Sequence, residues 1–132
     1  MRFISTRAHG VLDYLMGLLL IASPWILGFG YTSNTIEVWL PPAVGGLVIL
    51  YSAFTDYEFG VSRLIPMRTH LLLDVLGGLF LAASPWIFGF SERLFLPHLI
   101  LGLAEVGAGL MTRTSPEGHA EGHDGAMTPR TH

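Results

Sequence analysis

The sequence predicts an all-α membrane protein in which four transmembrane helices form two parallel two-helix repeats. Of its 132 residues, 51% are hydrophobic and only 13% are charged, whereas about a quarter of the residues are charged in soluble domains. The hydrophobic residues gather into four long runs, and one segment of the chain occurs twice. These three observations indicate that the protein lies in a lipid bilayer.

The duplicated segment defines the repeat. Residues 7–29 and 68–90 align without a gap at an offset of 61, and 15 of the 23 positions are identical. Repetition at a fixed spacing indicates a structural unit that was duplicated. Because a cleaved leader peptide would have no reason to share this pattern, we expect the first apolar run to belong to the mature fold.

The four apolar runs have the length of membrane helices, since a hydrocarbon core of about 30 Å takes roughly 20 helical residues. They cover residues 11–30, 39–54, 70–90 and 94–111. Two runs per unit give predicted repeats over residues 1–62 and 63–112. The remaining tail, residues 113–132, is rich in Pro, Gly, Thr and charge and is predicted to be disordered.

The arginines predict the orientation, because the sequence contains no lysine. Only Arg93 follows the first helix of a unit, while all other arginines lie on the opposite side, at Arg2, Arg7, Arg63, Arg68, Arg113 and Arg130. Cationic segments stay in the cytoplasm, so both termini and the middle loop are predicted to be cytoplasmic. Each unit has two helices, and both units therefore enter the membrane from the same side as parallel repeats.

A Ser-Pro-Trp tripeptide ends the first helix of each unit. The two copies are Ser23-Pro24-Trp25 and Ser84-Pro85-Trp86. Each proline should kink or end its helix. We expect the serine hydroxyl to compensate for the backbone hydrogen bond that the proline removes, and the tryptophan to anchor the helix at the outer interface. The alternative is a kink that gates the passage of a ligand. The prolines of the second helices, Pro41, Pro42 and Pro97, are expected in first turns, where proline is tolerated.

The two copies resemble the SPW-repeat family of small bacterial and archaeal integral membrane proteins. The resemblance rests on both tripeptides and on the residues that precede them, Arg7, His9, Asp13 and Gly17 in one copy and Arg68, His70, Asp74 and Gly78 in the other. It implies a paired-repeat fold in the cytoplasmic membrane. It implies no agreed activity and therefore no catalytic residues.

Polar residues inside membrane helices are the candidate functional groups. His9 and Asp13 share one helix face at i, i+4 spacing, as do His70 and Asp74. We expect the two pairs to meet as a symmetric polar clamp. Two alternatives remain open, namely a transition-metal site and a haem with the two histidines as axial ligands, although the sequence requires no cofactor.

Glu105 breaks the symmetry of the repeat. Aligning Leu40-Pro41 with Leu96-Pro97 makes Ile49 its counterpart in the first unit. Glu105 lies roughly 12 Å into the fourth helix, with His98 on the same face, so these groups and the His/Asp pairs would suit a proton relay. The alternative is a neutral glutamic acid that bonds to another helix or faces a partner protein.

The sequence therefore predicts a non-catalytic structural or accessory subunit of a membrane assembly. The alternatives are a proton or ion pathway and a haem- or metal-binding protein. The chain has no cysteine, and so no thiolate metal site; His119 and His123 in the tail are only weak metal ligands without a scaffold. The expected partners are lipids, other subunits or further copies, and a net charge of −3 argues against nucleic acid.

Overall fold

The computed structural model of the protein describes residues 2–31 and 35–114, and this part of the chain forms an all-helical fold. The helices are α1 (Thr6–Ile26), α2 (Thr35–Ala53), α3 (Met67–Ile87) and α4 (Leu96–Met111). The first three are long and apolar enough to cross a membrane, and α4 is a shorter apolar helix of 16 residues. Many large apolar side chains lie on the outside of the bundle, as expected for helices that face lipid.

The helices pack mainly in two pairs, α1 against α2 and α3 against α4. At each pair the backbones approach through glycine: a Cβ atom added to Gly45 would lie 2.5 Å from the carbonyl oxygen of Gly17, and one added to Gly102 would lie 2.5 Å from that of Gly78. No side chain fits at these positions. The glycines thus allow the close approach that favours helix association in membranes.

The glycine contacts correct the alignment of the second helices. Gly45, and not the glycine that follows it, makes the contact that is equivalent to that of Gly102. The counterpart of Glu105 is therefore Val48, which is 2% exposed in the apolar core. The prediction that Ile49 occupies this place is wrong by one residue, because the sequence offers two adjacent glycines at this point of α2.

The two ends of the bundle differ in chemistry. The segments before α1 and α3 lie at the same end: the backbone N–H of Ile4 donates to the carbonyl of Met111, and the Thr6 hydroxyl donates to the carboxylate of Glu58 in the loop before α3. We call it the arginine end, because all the described arginines except Arg93 lie in these segments or at the adjoining helix termini. The tripeptides lie at the opposite end, the tryptophan end.

The serine of each tripeptide repairs the hydrogen bond that its proline removes. Pro24 has no N–H to donate to the carbonyl of Leu20, and the Ser23 hydroxyl donates to that carbonyl instead, at 2.8 Å. Ser84 donates to the carbonyl of Leu81 in the same way, at 2.6 Å. Both helices consequently continue through the proline and end two residues after it.

The tryptophans of the tripeptides lie on the surface of the tryptophan end. Trp25 packs edge-on against Trp39, with the ring centroids 5.8 Å apart, and Trp86 packs against Phe95 at 5.8 Å. About half of each of the two indoles is exposed, 43% and 54%. A half-exposed indole at the end of an apolar helix suits the membrane interface.

The prolines of the second helices occupy two different environments. Pro97 lies in the first turn of α4, as predicted. Pro41 and Pro42 lie inside α2, which begins six residues earlier at Thr35, so the prediction of a first-turn position is wrong for them. The interior position is tolerated because the carbonyl that Pro41 leaves without a donor receives a hydrogen bond from another helix, described below.

Alanine substitutions at the glycines test the helix packing. Gly45→Ala and Gly102→Ala should each lower the free energy of unfolding by about 1–3 kcal/mol, because the new methyl group overpacks the contact. Gly46→Ala is the matched control, since a Cβ atom at that position meets no atom within 4 Å, and it should leave stability unchanged or slightly raised. Unfolding in detergent micelles measures the difference; equal effects at Gly45 and Gly46 would contradict the packing.

A double-mutant cycle tests the repair by serine. Ser23→Ala should lower the free energy of unfolding by about 1 kcal/mol, because the carbonyl of Leu20 loses the hydroxyl that donates to it in place of the missing N–H of Pro24. In a Pro24→Ala background the backbone N–H returns to that carbonyl, and the same serine substitution should then have little effect. An equal loss of stability in both backgrounds would show that Ser23 acts in some other way.

Candidate functional site

Four titratable side chains meet at the arginine end of the bundle. His9 and Asp13 come from α1, and His70 and Asp74 come from α3. All four are buried, with exposures of 0–2%, and each offers a ligand atom within 4.8 Å of those of the others. We call this group the His/Asp cluster.

Each histidine of the cluster contacts the aspartates of both helices. His9 Nε2 lies 2.9 Å from Asp13 Oδ1 and 2.8 Å from Asp74 Oδ2. His70 Nε2 lies 2.9 Å from Asp13 Oδ2 and 3.3 Å from Asp74 Oδ2. The two Nε2 atoms are themselves 3.3 Å apart. The i, i+4 spacing thus aligns each pair on its own helix, and the tertiary fold links the pairs to each other.

The other ring nitrogens bind threonines from the opposite unit. His9 Nδ1 lies 2.7 Å from Thr112 Oγ1, at the end of α4. His70 Nδ1 lies 2.7 Å from Thr55 Oγ1, after the end of α2. The first unit therefore holds the histidine of the second, and the second holds that of the first.

The threonines determine which ring nitrogen carries a proton. The Thr55 hydroxyl donates its one hydrogen to the carbonyl of Tyr51 at 2.7 Å, and the Thr112 hydroxyl donates to that of Ala108 at 2.6 Å. Each hydroxyl oxygen must therefore accept from the histidine, so Nδ1 carries hydrogen in both rings. The Nε2 atoms are left to face the carboxylates.

Two tyrosine hydroxyls donate hydrogen bonds to the aspartates of the cluster. Tyr51 donates to Asp74 Oδ1 at 2.6 Å, and Tyr57 donates to Asp13 Oδ2 at 3.1 Å. Tyr57 comes from the loop after α2 and is only 2% exposed. Burial raises the pKa of its hydroxyl, and the Asp13 carboxylate raises that pKa further, so Tyr57 stays a hydrogen-bond donor.

These supporting residues were not predicted from the sequence. Thr55 and Thr112 lie at equal distances after Gly45 and Gly102, so the corrected alignment would have found them. Tyr57 stands in a mixed polar loop with no pattern that marks it as buried. The contacts of Tyr51 are equally hidden, because a tyrosine near a helix end is also typical of the membrane interface.

Glu105 is buried beside the cluster but forms no hydrogen bond to it. The side chain is 3% exposed, and its Oε1 atom has no partner in the described part of the chain. Glu105 lines a cavity of about 340 Å³ between α1 and α4 together with Asp13. It also lines a cavity of about 370 Å³ between α2 and α3 together with Asp74.

His98 lies at the tryptophan end, where it compensates for a proline. Its Nε2–H donates to the carbonyl of Glu37 at 3.0 Å, which is the carbonyl that Pro41 leaves without a donor. The ring packs between Phe29 and Phe90, with ring centroids 5.6 and 5.0 Å away. Its Nδ1 atom has no partner among residues 2–31 and 35–114. This contact gives His98 a structural role.

The tryptophan end also contains an ion pair that the sequence analysis did not identify. The carboxylate of Glu37 is 2% exposed and accepts a hydrogen bond from Arg93 at 3.3 Å. Glu37 follows a polar loop, and no pattern in the sequence marks it as buried. Arg93, the one arginine at this end among the described residues, thus neutralises a buried carboxylate.

The geometry of the cluster does not fit a haem. A macrocycle would have to lie between His9 and His70, and the Nε2 atoms are 3.3 Å apart with both carboxylates against them. The rings stand edge to face, at an interplanar angle of 77°.

The predicted tail ligands, His119 and His123, lie outside the described residues.

Removing either threonine hydroxyl should destabilise the fold. In Thr55→Val or Thr112→Val, a buried histidine N–H loses its acceptor, which costs about 1–3 kcal/mol. Thr69→Val is the matched control, because Thr69 is exposed on α3, and its effect should stay within about 0.5 kcal/mol. Unfolding in micelles measures all three, and a neutral result at both buried threonines would contradict the proton assignment.

Comparison with known proteins gives one match. A family model described as SPW repeat domain matches residues 7–112. The matched segment contains the whole His/Asp cluster, both tripeptides and the two threonines that support the histidines. No curated protein and no solved structure matches the chain.

Proposed function

We propose that this chain, which belongs to the SPW repeat family, is a structural or accessory subunit of a membrane assembly without catalytic activity of its own. Three of its helices are long and apolar enough to cross a membrane, which supports a place in the bilayer. The observation that carries the proposal is the crossed pattern of contacts in the His/Asp cluster. Each polar group of the cluster is engaged in bonds between the two units, so the cluster serves to fasten them.

Fastening the units matters because their helices pack less closely on each other than the helices within a unit do. The cluster acts together with contacts near the two ends of the bundle that also join the units, between Ile4 and Met111 and between Glu37 and both His98 and Arg93. The helices of a unit pack closely on each other, whereas α1 and α4, and α2 and α3, make far fewer contacts. In lipid, apolar side chains gain nothing by leaving the surrounding solvent, so helices associate through packing and polar contacts. A buried polar cluster is therefore the part of the structure best suited to hold the units together.

We further propose that all four helices cross the cytoplasmic membrane of a bacterium or archaeon as two parallel repeats. The grouping of arginines at one end supports this topology, since cationic segments remain in the cytoplasm. Both termini and the loop between α2 and α3 then face the cytoplasm. The tryptophan end faces outward.

Single-cysteine variants test the topology, because the chain contains no cysteine of its own. Val61→Cys and Tyr31→Cys place a thiol at two exposed positions, 88% and 83% exposed, at opposite ends. In intact cells a membrane-impermeant maleimide should label only the cysteine at position 31. Labelling of position 61 from outside would reverse the orientation, and labelling of both would contradict a fixed orientation.

The accessory role is tested by extraction from the native membrane in mild detergent, followed by native mass spectrometry. We expect a complex heavier than the 14.4 kDa chain that contains a second membrane polypeptide in a fixed ratio. Val61→Cys offers a site for crosslinking that complex before extraction, which controls for association after solubilisation. A chain that is monomeric in both measurements would contradict the accessory role.

A proton pathway is the second candidate function, and the environment of Glu105 supports it. The carboxyl group is buried, lacks a partner at Oε1 and lines cavities on two sides of the bundle. If the chain conducts protons, liposomes that contain it should show proton flux. Glu105→Gln should abolish this flux without unfolding the chain. Absence of flux through the unmodified chain would eliminate this candidate.

A further inference from the structure

We propose that the His/Asp cluster binds one divalent transition-metal ion of the zinc type, which joins α1 to α3. The ligands are His9 Nε2, His70 Nε2 and one oxygen each from Asp13 and Asp74. The inference rests on the proposed fastening role of the cluster, and it adds the chemical species that performs it.

The distances within the cluster suit a tetrahedral ion. Nitrogen and oxygen ligands lie about 2.0 Å from zinc, so neighbouring ligands of a tetrahedron lie about 3.3 Å apart. The two Nε2 atoms are separated by 3.3 Å. The nitrogen-to-carboxylate distances are 2.8–3.3 Å, through both oxygens of Asp13 and through Oδ2 of Asp74. One ligand atom from each of the four residues lies within 4.8 Å of the others, so an ion would draw the carboxylates inward to complete the coordination shell.

The threonines direct the ligand lone pairs to a common point. Because Thr112 and Thr55 accept from the Nδ1–H groups, the neutral form of each ring carries its lone pair on Nε2, next to the carboxylates. Histidine ligands of metal ions commonly donate their other N–H to a fixed acceptor of this kind, which sets the tautomer and the ring orientation. Both tyrosine hydroxyls support the carboxylate ligands in the same manner.

A cation also removes a conflict between the two Nε2 atoms. If both carry hydrogen, two N–H groups face each other at 3.3 Å, and if neither does, two lone pairs face each other. If only one does, the two rings share a hydrogen bond, but the lone pair of the other Nε2 still faces a carboxylate oxygen at 2.8–2.9 Å. A divalent ion between neutral histidines and two carboxylates turns these repulsions into attractions and gives a site of zero net charge. Such neutrality matters where charge is buried.

The ligand set indicates the class and the role of the ion. Two imidazoles and two carboxylates in a tetrahedral arrangement suit zinc better than calcium or magnesium, which prefer six or more oxygen ligands. Four protein ligands leave no open position, which is typical of structural sites. The ion would act as a crosslink between the units.

The experiment uses the untagged full chain in detergent, stripped with chelator and titrated with Co²⁺, which reports tetrahedral coordination by its visible absorption. We expect one ion per chain and a rise in melting temperature on adding Co²⁺ or Zn²⁺. Asp13→Asn and Asp74→Asn should weaken Co²⁺ binding at least tenfold. Asp56→Asn is the matched control, because Asp56 lies in the loop after α2 and pairs with Arg63.

The histidines of the tail require a control of their own. His119→Gln and His123→Gln together should leave the Co²⁺ spectrum and the stoichiometry unchanged. A spectrum that disappears in this double variant would overturn the proposal, as would equal binding by the wild type and both aspartate variants. The wild-type titration decides the question even if the aspartate variants fail to fold.

Failure of the metal site is distinguishable from failure of the clamp. A stripped chain that binds no Co²⁺ and loses no stability in chelator overturns the metal proposal. If Asp74→Asn still destabilises that chain, the clamp survives as a cluster of protonated histidines and carboxylates. If Asp74→Asn leaves the stability of the stripped chain unchanged, the fastening role is overturned as well.

Discussion

Polar groups that are buried away from water must find partners within the bundle, and the rest of this structure depends on that constraint. Four prolines of the described residues lie inside helices, and the backbone carbonyls that three of them free receive a side-chain hydrogen bond. Ser23 and Ser84 satisfy two of these carbonyls from the same helix, and His98 satisfies the third from a different one. The Ser-Pro pair of the repeated tripeptide is thus one unit of local chemistry, in which the serine allows the proline to stand in a helix.

The same constraint explains the His/Asp cluster. Two carboxylates buried at the arginine end would be costly alone, and each is matched by two imidazoles and a tyrosine. Because every histidine takes its second partner from the opposite unit, the cluster is complete only when both units are in place. The duplication therefore produced two halves that depend on each other, which a single unit could not provide.

Much of this could be predicted from the sequence, because helical periodicity and hydrophobicity are local properties. The apolar runs predict the four helices, and the order Ser-Pro predicts the role of the serine. The i, i+4 spacing predicts that each His/Asp pair shares one helix face. The register of α2 could not be predicted from the sequence, because Gly45 and Gly46 are adjacent and either could contact a neighbouring helix. Packing against α1 shows that Gly45 makes the contact. The threonines and Tyr57 were missed because their importance arises from contacts between units, and the interior position of Pro41 is tolerated only through a histidine on another helix.

The central claim is that the cluster couples the two units, and a double-mutant cycle between His9 and Asp74 tests it most directly. His9→Gln and Asp74→Asn remove one group from each unit with little change of shape, and their effects on unfolding are compared singly and together. Contact across the cluster predicts a coupling free energy of about 1–3 kcal/mol, whereas His9 and the exposed Glu92 at the opposite end of the bundle should be additive within about 0.5 kcal/mol. Additive effects of His9→Gln and Asp74→Asn would contradict the account.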